Sequence, residues 1–402
     1  MQFILIDEFQ DINAAQYQLI KLIKPEKLAN ITAIGDPNQA IYGFRGADVR
    51  FIKKFQKDYP QAQVITLLQS YRCSNTILSA SKQVIEAQEM LSGLHEGVKI
   101  NISSHGTDKS EAEFIAREIE KLIGGVRFFS MDSAITDGSD GSKVASLSEV
   151  SILCRLKTQM PAIEKALNDH SIPYQKVTEN SLFFEEPVKS ILDVLQLALN
   201  PRNMFLIDEL IKRNILTIPD LNELKTCLIE NDVQQALEMI IKKFFKEKLK
   251  LDDSVRKLMN YAESFGNDFD TFLKFTILGS GVDTNDFTLE RVNLLTLHSA
   301  KGLEFDCVFM AGCEDGILPY SLFEKKKCDL DEERRLFYVG MTRARNLLYL
   351  TGAQNRFLYG KTYHLSQSPY IRAIEQELLE EKKVAYKKKK KPEPSKSQQE
   401  LF

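Results

Sequence analysis

The chain has 402 residues, 43% hydrophobic and 27% charged, an ordinary composition for a folded protein of more than one domain. No run of about 18 apolar residues is present to cross a membrane, and the opening MQFILIDE lacks the basic start and apolar length of a secretion signal, so a cytoplasmic location is expected. Six scattered cysteines without a C-x-x-C pair argue against structural zinc, and the net charge of −3 hides eight lysines against two glutamates from Lys382 onward. The body of the chain is therefore mildly acidic, which does not exclude nucleic acid, because phosphate contacts depend on local charge.

In chain order, residues 3–6 form an apolar run that stops at Asp7 and Glu8, and residues 31–34 form another that stops at Gly35 and Asp36. Such runs, bounded by polar turns and separated by helical stretches, predict buried parallel strands. Helical periodicity follows over residues 112–123. The Ser-, Gly- and Asp-rich stretch 127–148 predicts an exposed loop, residues 150–154 a strand, and residues 160–167 a helix. Residues 187–287 lack strong strand signals and read as a helical insertion. Strands are predicted again at 307–311 and 347–350. After Leu379 the composition collapses into Lys, Glu, Pro, Ser and Gln, which predicts a disordered basic tail. In open α/β sheets ligands sit beyond the carboxyl ends of the strands, and the polar clusters fall there.

Asp7-Glu8 at a strand end suits phosphate chemistry: one carboxylate holds Mg²⁺ beside a triphosphate, and its neighbour orients or deprotonates water. By itself the pair is equally a solvated turn with helix-capping acids. The full string ILIDEFQD gains weight from four later ones: AIGDPNQAIYGFRGAD (33–48), LLQSYRCSN (67–75), LLTLHSAKGLEF (294–305) and EERRLFYVGMTRAR (332–345). In this order and spacing they resemble motifs II to VI of the UvrD/Rep/PcrA group of superfamily 1 DNA helicases, over residues 1 to about 379.

The resemblance implies an α/β fold of RecA-like parallel-sheet motor domains, one partial and one complete, with a mainly helical inserted subdomain and a disordered basic tail. It divides the chain into the end of a first RecA-like domain (1–60), a second such domain in two segments (61–184 and 288–379), the insertion (185–287) and the tail (380–402). It implies ATP and Mg²⁺ as cofactors, with Asp7 as the metal ligand and Glu8 activating water. Gln39 would sense the γ-phosphate, Tyr71 would stack on adenine, Glu304 would take the ribose hydroxyls, and Arg72 and Arg343 would be arginine fingers. Guanidinium forks suit that last role, since they hydrogen-bond phosphate oxygens and stabilise developing charge.

Single-stranded DNA is gripped by aromatic faces and cations. Tyr42, Phe44 and Arg45 supply both in one loop, with Phe44 where the family usually has Trp; the bland alternative is a pair of core aromatics. Arg155 and His298 match further DNA contacts of the family, although Lys157 stands where the family often has Asn. The insertion is short, and the turns that contact duplex DNA in the family are not found in it.

No G-x-x-x-x-G-K-[ST] occurs in the sequence, and that loop normally cradles the phosphates. The family carries it some 200 residues ahead of DEFQD, so the sequence reads as an N-terminally truncated helicase whose partners include the missing N-terminal region, single-stranded DNA and single-strand/duplex junctions. The implied activity is ATP-dependent 3′–5′ unwinding in repair or replication. The competing reading is a non-catalytic DNA- or partner-binding module with vestigial motor residues. A helicase-nuclease subunit is disfavoured, because no room for a nuclease follows residue 379. The end of the tail, with Gln398, Leu401 and Phe402, resembles the Q-x-x-L-F peptide that docks on the bacterial sliding clamp.

Overall fold

The computed structural model describes residues 3–23, 30–87, 91–124, 144–177, 182–224, 228, 231–245, 252–278, 287–322 and 329–382. In chain order the elements are β1 (Ile4–Ile6), α1 (Ala14–Ile23), β2 (Ile31–Ala33), α2 (Arg50–Asp58), α3 (Asn75–Ile85), β3 (Ile100–Thr107), α4 (Asp108–Leu122), β4 (Val150–Cys154), α5 (Met160–Asp169) and β5 (Tyr174–Val177). Five helices follow, α6 (Val188–Leu199), α7 (Met204–Lys212), α8 (Val233–Phe244), α9 (Asp253–Glu263) and α10 (Phe269–Leu278). The chain then continues through β6 (Val292–Thr296), β7 (Phe305–Ala311), α11 (Leu330–Met341), β8 (Ala344–Leu358), β9 (Lys361–His364), α12 (Pro369–Arg372) and β10 (Leu379–Glu381). By packing, these elements fall into two compact bodies: Met1–Ile172 with Lys301–Phe402, and Pro173–Ala300.

The first body is a parallel α/β structure. Its main sheet runs β10-β3-β8-β7-β4, every neighbouring pair parallel, with β9 folded back antiparallel on the long end of β8. Every residue of β4 is buried, as is all of β7 but Asp306, which is the burial that parallel strands covered on both faces require. Helix α4 starts at a capping box: the Ser110 N–H donates to Thr107 Oγ1 at 3.2 Å and the Thr107 N–H donates to Ser110 Oγ at 2.9 Å. Its Ala112, Ile115, Ala116 and Ile119 are then buried at helical spacing. A second, small sheet in this body pairs β1 with β2 in parallel, Ile4 opposite Ile31 and Ile6 opposite Ala33. Phe9, Ile12 and Tyr17 form a core beneath it, and Phe51, Ile52 and Phe55 of α2 pack against that core.

The second body pairs β5 with β6 in parallel and is otherwise helical. Its five helices close on one apolar core that includes Phe183, Ile191, Leu195, Leu210, Leu237, Ile240, Leu258 and Phe272. The parallel α/β character and the helical insertion expected from the sequence are both present.

Five strands, β3, β5, β6, β9 and β10, are not expected from the sequence, and two of them show why. β3 carries Asn101, Ser103 and His105, polar residues that are nonetheless buried, so no apolar run marks it. β10 lies at the point where the composition turns polar; the Lys382 N–H donates to Ile102 O at 2.9 Å and its Nζ bonds Glu118 at 2.8 Å. Most of the expected loop 127–148 and nearly all of the expected tail, including Gln398, Leu401 and Phe402, lie outside the described residues. Among the described residues no helix is long and apolar enough to cross a membrane.

Candidate functional site

The turn after β1 is shaped by its own side chains. Glu8 takes a left-handed backbone conformation (φ 51°), and its N–H donates to the Asp7 carboxylate at 2.9 Å. Both carboxylates are solvent-exposed. Gln10, buried beneath them, donates to Glu8 Oε2 at 2.5 Å and accepts from the Asp36 N–H at 3.1 Å, tying the end of β1 to the end of β2. Gly35 stands where the two turns meet, and a Cβ there would lie 2.7 Å from Gln10 Oε1. Asp36 caps the following 3-10 turn by accepting from the Asn38 N–H, and its other oxygen accepts from Gln39 Nε2 at 3.0 Å.

Lys301 is the cation of this corner. Its ammonium, 6% exposed, bonds Asp11, lies 3.2 Å from Glu8 Oε2 and donates to Gln39 O at 2.8 Å, with the Tyr42 ring 5.2 Å beneath it. Burial raises the Asp11 carboxyl above its ordinary value, and the bond to Lys301 works against that shift. Two residues of α11 hold the neighbouring loop: Arg335 Nε donates to Ala40 O at 2.6 Å, and Glu332 accepts from the Gly43 N–H at 3.1 Å.

An open cleft of about 370 Å³ lies beside this corner, lined by Asp36, Gln39, Ser70, Tyr71, Arg72, Cys73, Leu78, Leu91, Glu304, Tyr338 and Thr342. Tyr71 is 80% exposed, presenting a free aromatic face. Arg72 Nε bonds Glu304 Oε2 at 2.7 Å, and Arg345 lies 3.6 Å from the other oxygen. The Arg72 bond holds the Glu304 carboxyl below its usual value. Arg343 is only 1% exposed and does not itself line the cleft. Its guanidinium donates to Val339 O at 3.0 Å, Leu303 O at 3.1 Å and the Thr342 hydroxyl at 3.2 Å, with no carboxylate paired to it among the described residues. Burial, then the like charge of Arg72, lowers its pKa to about 10, which leaves it cationic at neutral pH. Three of its five N–H donors are used, and at 1% exposure the other two do not face the cleft.

The aromatic loop is outside the core. Phe44 is 63% exposed, Tyr42 is half-buried, and their rings meet edge-on with centroids 6.0 Å apart. The Arg45 guanidinium sits 5.1 Å from the Tyr42 centroid and 5.4 Å from that of Phe44. Arg155, by contrast, is locked to Glu333 by Nε and Nη2 at 2.6–3.2 Å, and it lies over the Tyr320 ring. His298 belongs to the second body and is 9% exposed. The structure thus brings Gln39, Tyr71, Arg72 and Glu304 to one cleft, sets Asp7 and Glu8 on the adjoining turn, and engages Arg155 elsewhere.

Lys301, Gln10, Glu332 and Arg335 do not emerge as site residues from the sequence. All four sit inside the motif strings, so the signal was present, but their partners are up to 295 residues away. The donor set fits a nucleotide: aromatic face, guanidinium, carboxylate and amide on one open cleft. Among the described residues no three His, Cys, Asp or Glu side chains gather around a metal position. Mg²⁺ bound through one carboxylate and the substrate's phosphates needs no such cage.

Comparison with known proteins agrees with this geometry. The UvrD-like helicase C-terminal domain matches residues 65–263 and 249–355, and the UvrD/REP helicase N-terminal domain matches residues 1–60. The ATP-dependent DNA helicase PcrA of Bacillus subtilis is 31% identical over 454 aligned residues, covering 94% of this chain and 58% of the relative. PcrA proteins of Staphylococcus aureus and Staphylococcus epidermidis are 30% and 29% identical over the same share of this chain. The chain spans under three fifths of the length of these curated relatives.

Proposed function

This chain belongs to the UvrD-like helicase family, and from that premise we propose that it forms the larger part of an ATP-driven helicase moving 3′ to 5′ along single-stranded DNA. The observation that carries the reading is the shared cleft of Gln39, Tyr71, Arg72 and Glu304 beside the Asp7-Glu8 turn. In the proposed mechanism Asp7 would hold Mg²⁺, which would neutralise charge on the phosphates, and Glu8 orients and deprotonates water. Tyr71 stacks on the base, and Glu304 exchanges its bond to Arg72 for the ribose hydroxyls. Arg72, once released, turns to phosphate. Arg343 reaches phosphate only by giving up one or more of its three acceptors. Gln39, bonded through its backbone to Lys301 and through its amide to Asp36, links the state of the cleft to the aromatic loop three residues on.

The phosphate-binding G-x-x-x-x-G-K-[ST] loop is absent from the 402 residues, and we assign it to a region supplied from elsewhere, in the same polypeptide or another. The proposed domains are those expected from the sequence: the end of a first motor domain to residue 60, a second over 61–184 and 288–379, and an insertion over 185–287. Substrates are single strands and single-strand/duplex junctions, in repair or replication within the cytoplasm. We further propose docking of Gln398, Leu401 and Phe402 on a sliding clamp, with the lysine-rich tail as tether. A peptide of the last dozen residues should compete with a known clamp ligand, and failure to compete would remove that partner.

Exposure of Phe44 with Tyr42 and Arg45 beside it supports single-strand binding by stacking. Anisotropy titration of oligo(dT) should show the double variant Tyr42→Ala/Phe44→Ala losing about 1–3 kcal/mol per stacked base. Unchanged affinity in that variant would sink the proposed strand path.

A further inference from the structure

Helix α2 carries a basic stripe that the cleft and the aromatic loop do not use, and we infer that this stripe is a docking surface for the phosphate backbone of duplex DNA. The inference rests on the reading of the chain as a DNA-binding motor and assigns a second, separate contact. Arg50, Lys53, Lys54 and Lys57 are spaced i, i+3, i+4, i+7 and so share one face, within an arc of about 100°. All four are exposed, while Phe51, Ile52 and Phe55 on the opposite side pack on the Phe9/Tyr17 core. The helix therefore cannot turn its stripe inward.

Two of the four charges, those of Lys53 and Lys57, are not spent on the protein itself, whereas Arg50 is forked onto Asp48. Arg50 pairs with Asp48 at 2.6 Å but remains 87% exposed, and Lys54 sits 5.3 Å from the Tyr17 ring centroid. The one carboxylate of the helix, Asp58, bonds Lys21 and the Tyr17 hydroxyl. Lys53 and Lys57 have no carboxylate within ion-pair distance among the described residues. Like charges at i, i+3 and i, i+4 destabilise a helix, so a stripe only partly compensated, at Arg50, on a mildly acidic body marks a surface complementary to an external polyanion.

Duplex DNA is the polyanion this surface fits. Recognition of a single strand needs stacking platforms, and the exposed side of α2 offers none, since its aromatics are turned into the core. Duplex binding without sequence readout needs only cations along the backbone. From Arg50 to Lys57 the helix rises about 10 Å, long enough to lie against more than one phosphate of a duplex, whose two strands together carry a charge for about every 1.7 Å of helix axis. The stripe also begins five residues after Arg45 of the aromatic loop, so it continues in the chain from the single-strand contact. A motor that stacks the single strand at Tyr42 and Phe44 would hold the adjoining duplex on α2.

The test compares the full chain with Lys53→Gln/Lys57→Gln, chosen because neither side chain packs on the core. Three probes are titrated over a range of salt: oligo(dT), a blunt duplex, and the duplex bearing a 3′ single-stranded tail. The tail lysines at 387–391 are present in both proteins, so their contribution cancels. The parent should bind the tailed duplex more tightly than the tail alone. The variant should lose that excess, on the order of 10- to 100-fold at about 0.1 M salt, with the slope of log K against log salt falling by about 1.8 for two phosphates. Its oligo(dT) affinity should stay unchanged, whereas Tyr42→Ala/Phe44→Ala should lose oligo(dT) and retain the salt-dependent duplex contribution. Equal duplex affinity and slope in variant and parent would overturn the inference and leave the stripe to an acidic protein. An equal loss on oligo(dT) and duplex would also overturn it, placing the stripe on the single strand. Absence of binding by the parent to any probe would instead refute the DNA-binding reading on which it rests.

Discussion

Lys301 bonds Asp11 and lies 3.2 Å from Glu8, so at the scale of single residues it sets the charge of the cleft's acidic corner. Asp11 is bonded to it through Oδ2 in a mostly buried setting, and its Oδ1 has no hydrogen-bond partner among the described residues. Removing the ammonium leaves that carboxylate charged and desolvated, the situation in which a broken buried pair costs about 3–5 kcal/mol. Lys301→Met should therefore lower unfolding stability in urea by roughly that amount, and adding Asp11→Asn should recover a large part of it. A Lys301→Met chain as stable as the parent would show that water reaches Asp11. Arg343 is the contrasting case: among the described residues its charge is held by carbonyl dipoles and a hydroxyl with no paired carboxylate, so an anion that drew it out would meet no competing carboxylate.

At the scale of elements, α4, β7 and β8 are bound together by a buried triad. Arg356, 3% exposed, bonds Glu111 of α4 and holds Glu314, just beyond β7, through contacts at 2.6 and 2.9 Å. Glu111 also accepts from the Gly312 N–H at 2.9 Å and the Thr351 hydroxyl at 2.7 Å. One arginine cannot fully neutralise two buried carboxylates: burial pushes the Glu314 carboxyl up to about 7, while the charge of Arg356 offsets burial at Glu111 and brings it below its ordinary value. Because Glu314 binds its proton more tightly folded than unfolded, its contribution is full below the unfolded value of 4.5 and is lost as pH rises towards about 7. Chemical denaturation should show this loss, on the order of 3 kcal/mol, flattened in Glu314→Gln. An unchanged pH profile in the variant would mean that Glu314 is ionised throughout.

The same elements show what the sequence can carry. β4 and β7 were legible because strands buried on both faces must be apolar throughout, and α4 because its buried positions repeat at helical spacing. β3 was not, since its buried Asn101, Ser103 and His105 interrupt any apolar run, and two of them satisfy each other along the strand, His105 Nε2 bonding Ser103 Oγ at 2.9 Å. In the cleft, Tyr71, Arg72 and Glu304 could be named from their strings. The bonding of Lys301 to Glu8 and Asp11, and the locking of Arg155 by Glu333, depend on residues 178 to 293 positions apart and required the fold.

At the scale of the whole molecule, the small β1-β2 sheet stands apart from the rest of the first body in its exposure. Phe3 is 70% exposed, Leu5 78% and Ile34 55%, whereas β4 and β7 are almost wholly buried. Two short strands open on their faces protect their amides poorly. Hydrogen exchange should therefore be faster over residues 4–6 and 31–33 than over 150–154 and 305–311 by orders of magnitude. Equal protection would mean that something covers that sheet in solution.

The central proposal, that this cleft turns over ATP when DNA is held, is tested most directly by DNA-stimulated ATP hydrolysis of the full chain. The chain is mixed with a separately expressed segment that carries the G-x-x-x-x-G-K-[ST] loop, complex formation being verified by sedimentation. The chain alone should give no turnover above background, the complex should hydrolyse ATP on addition of oligo(dT), and Arg343→Ala in the same complex should reduce turnover by about 10³-fold or more. Turnover by the chain alone, no turnover by the verified complex, or full turnover with Arg343→Ala would contradict it.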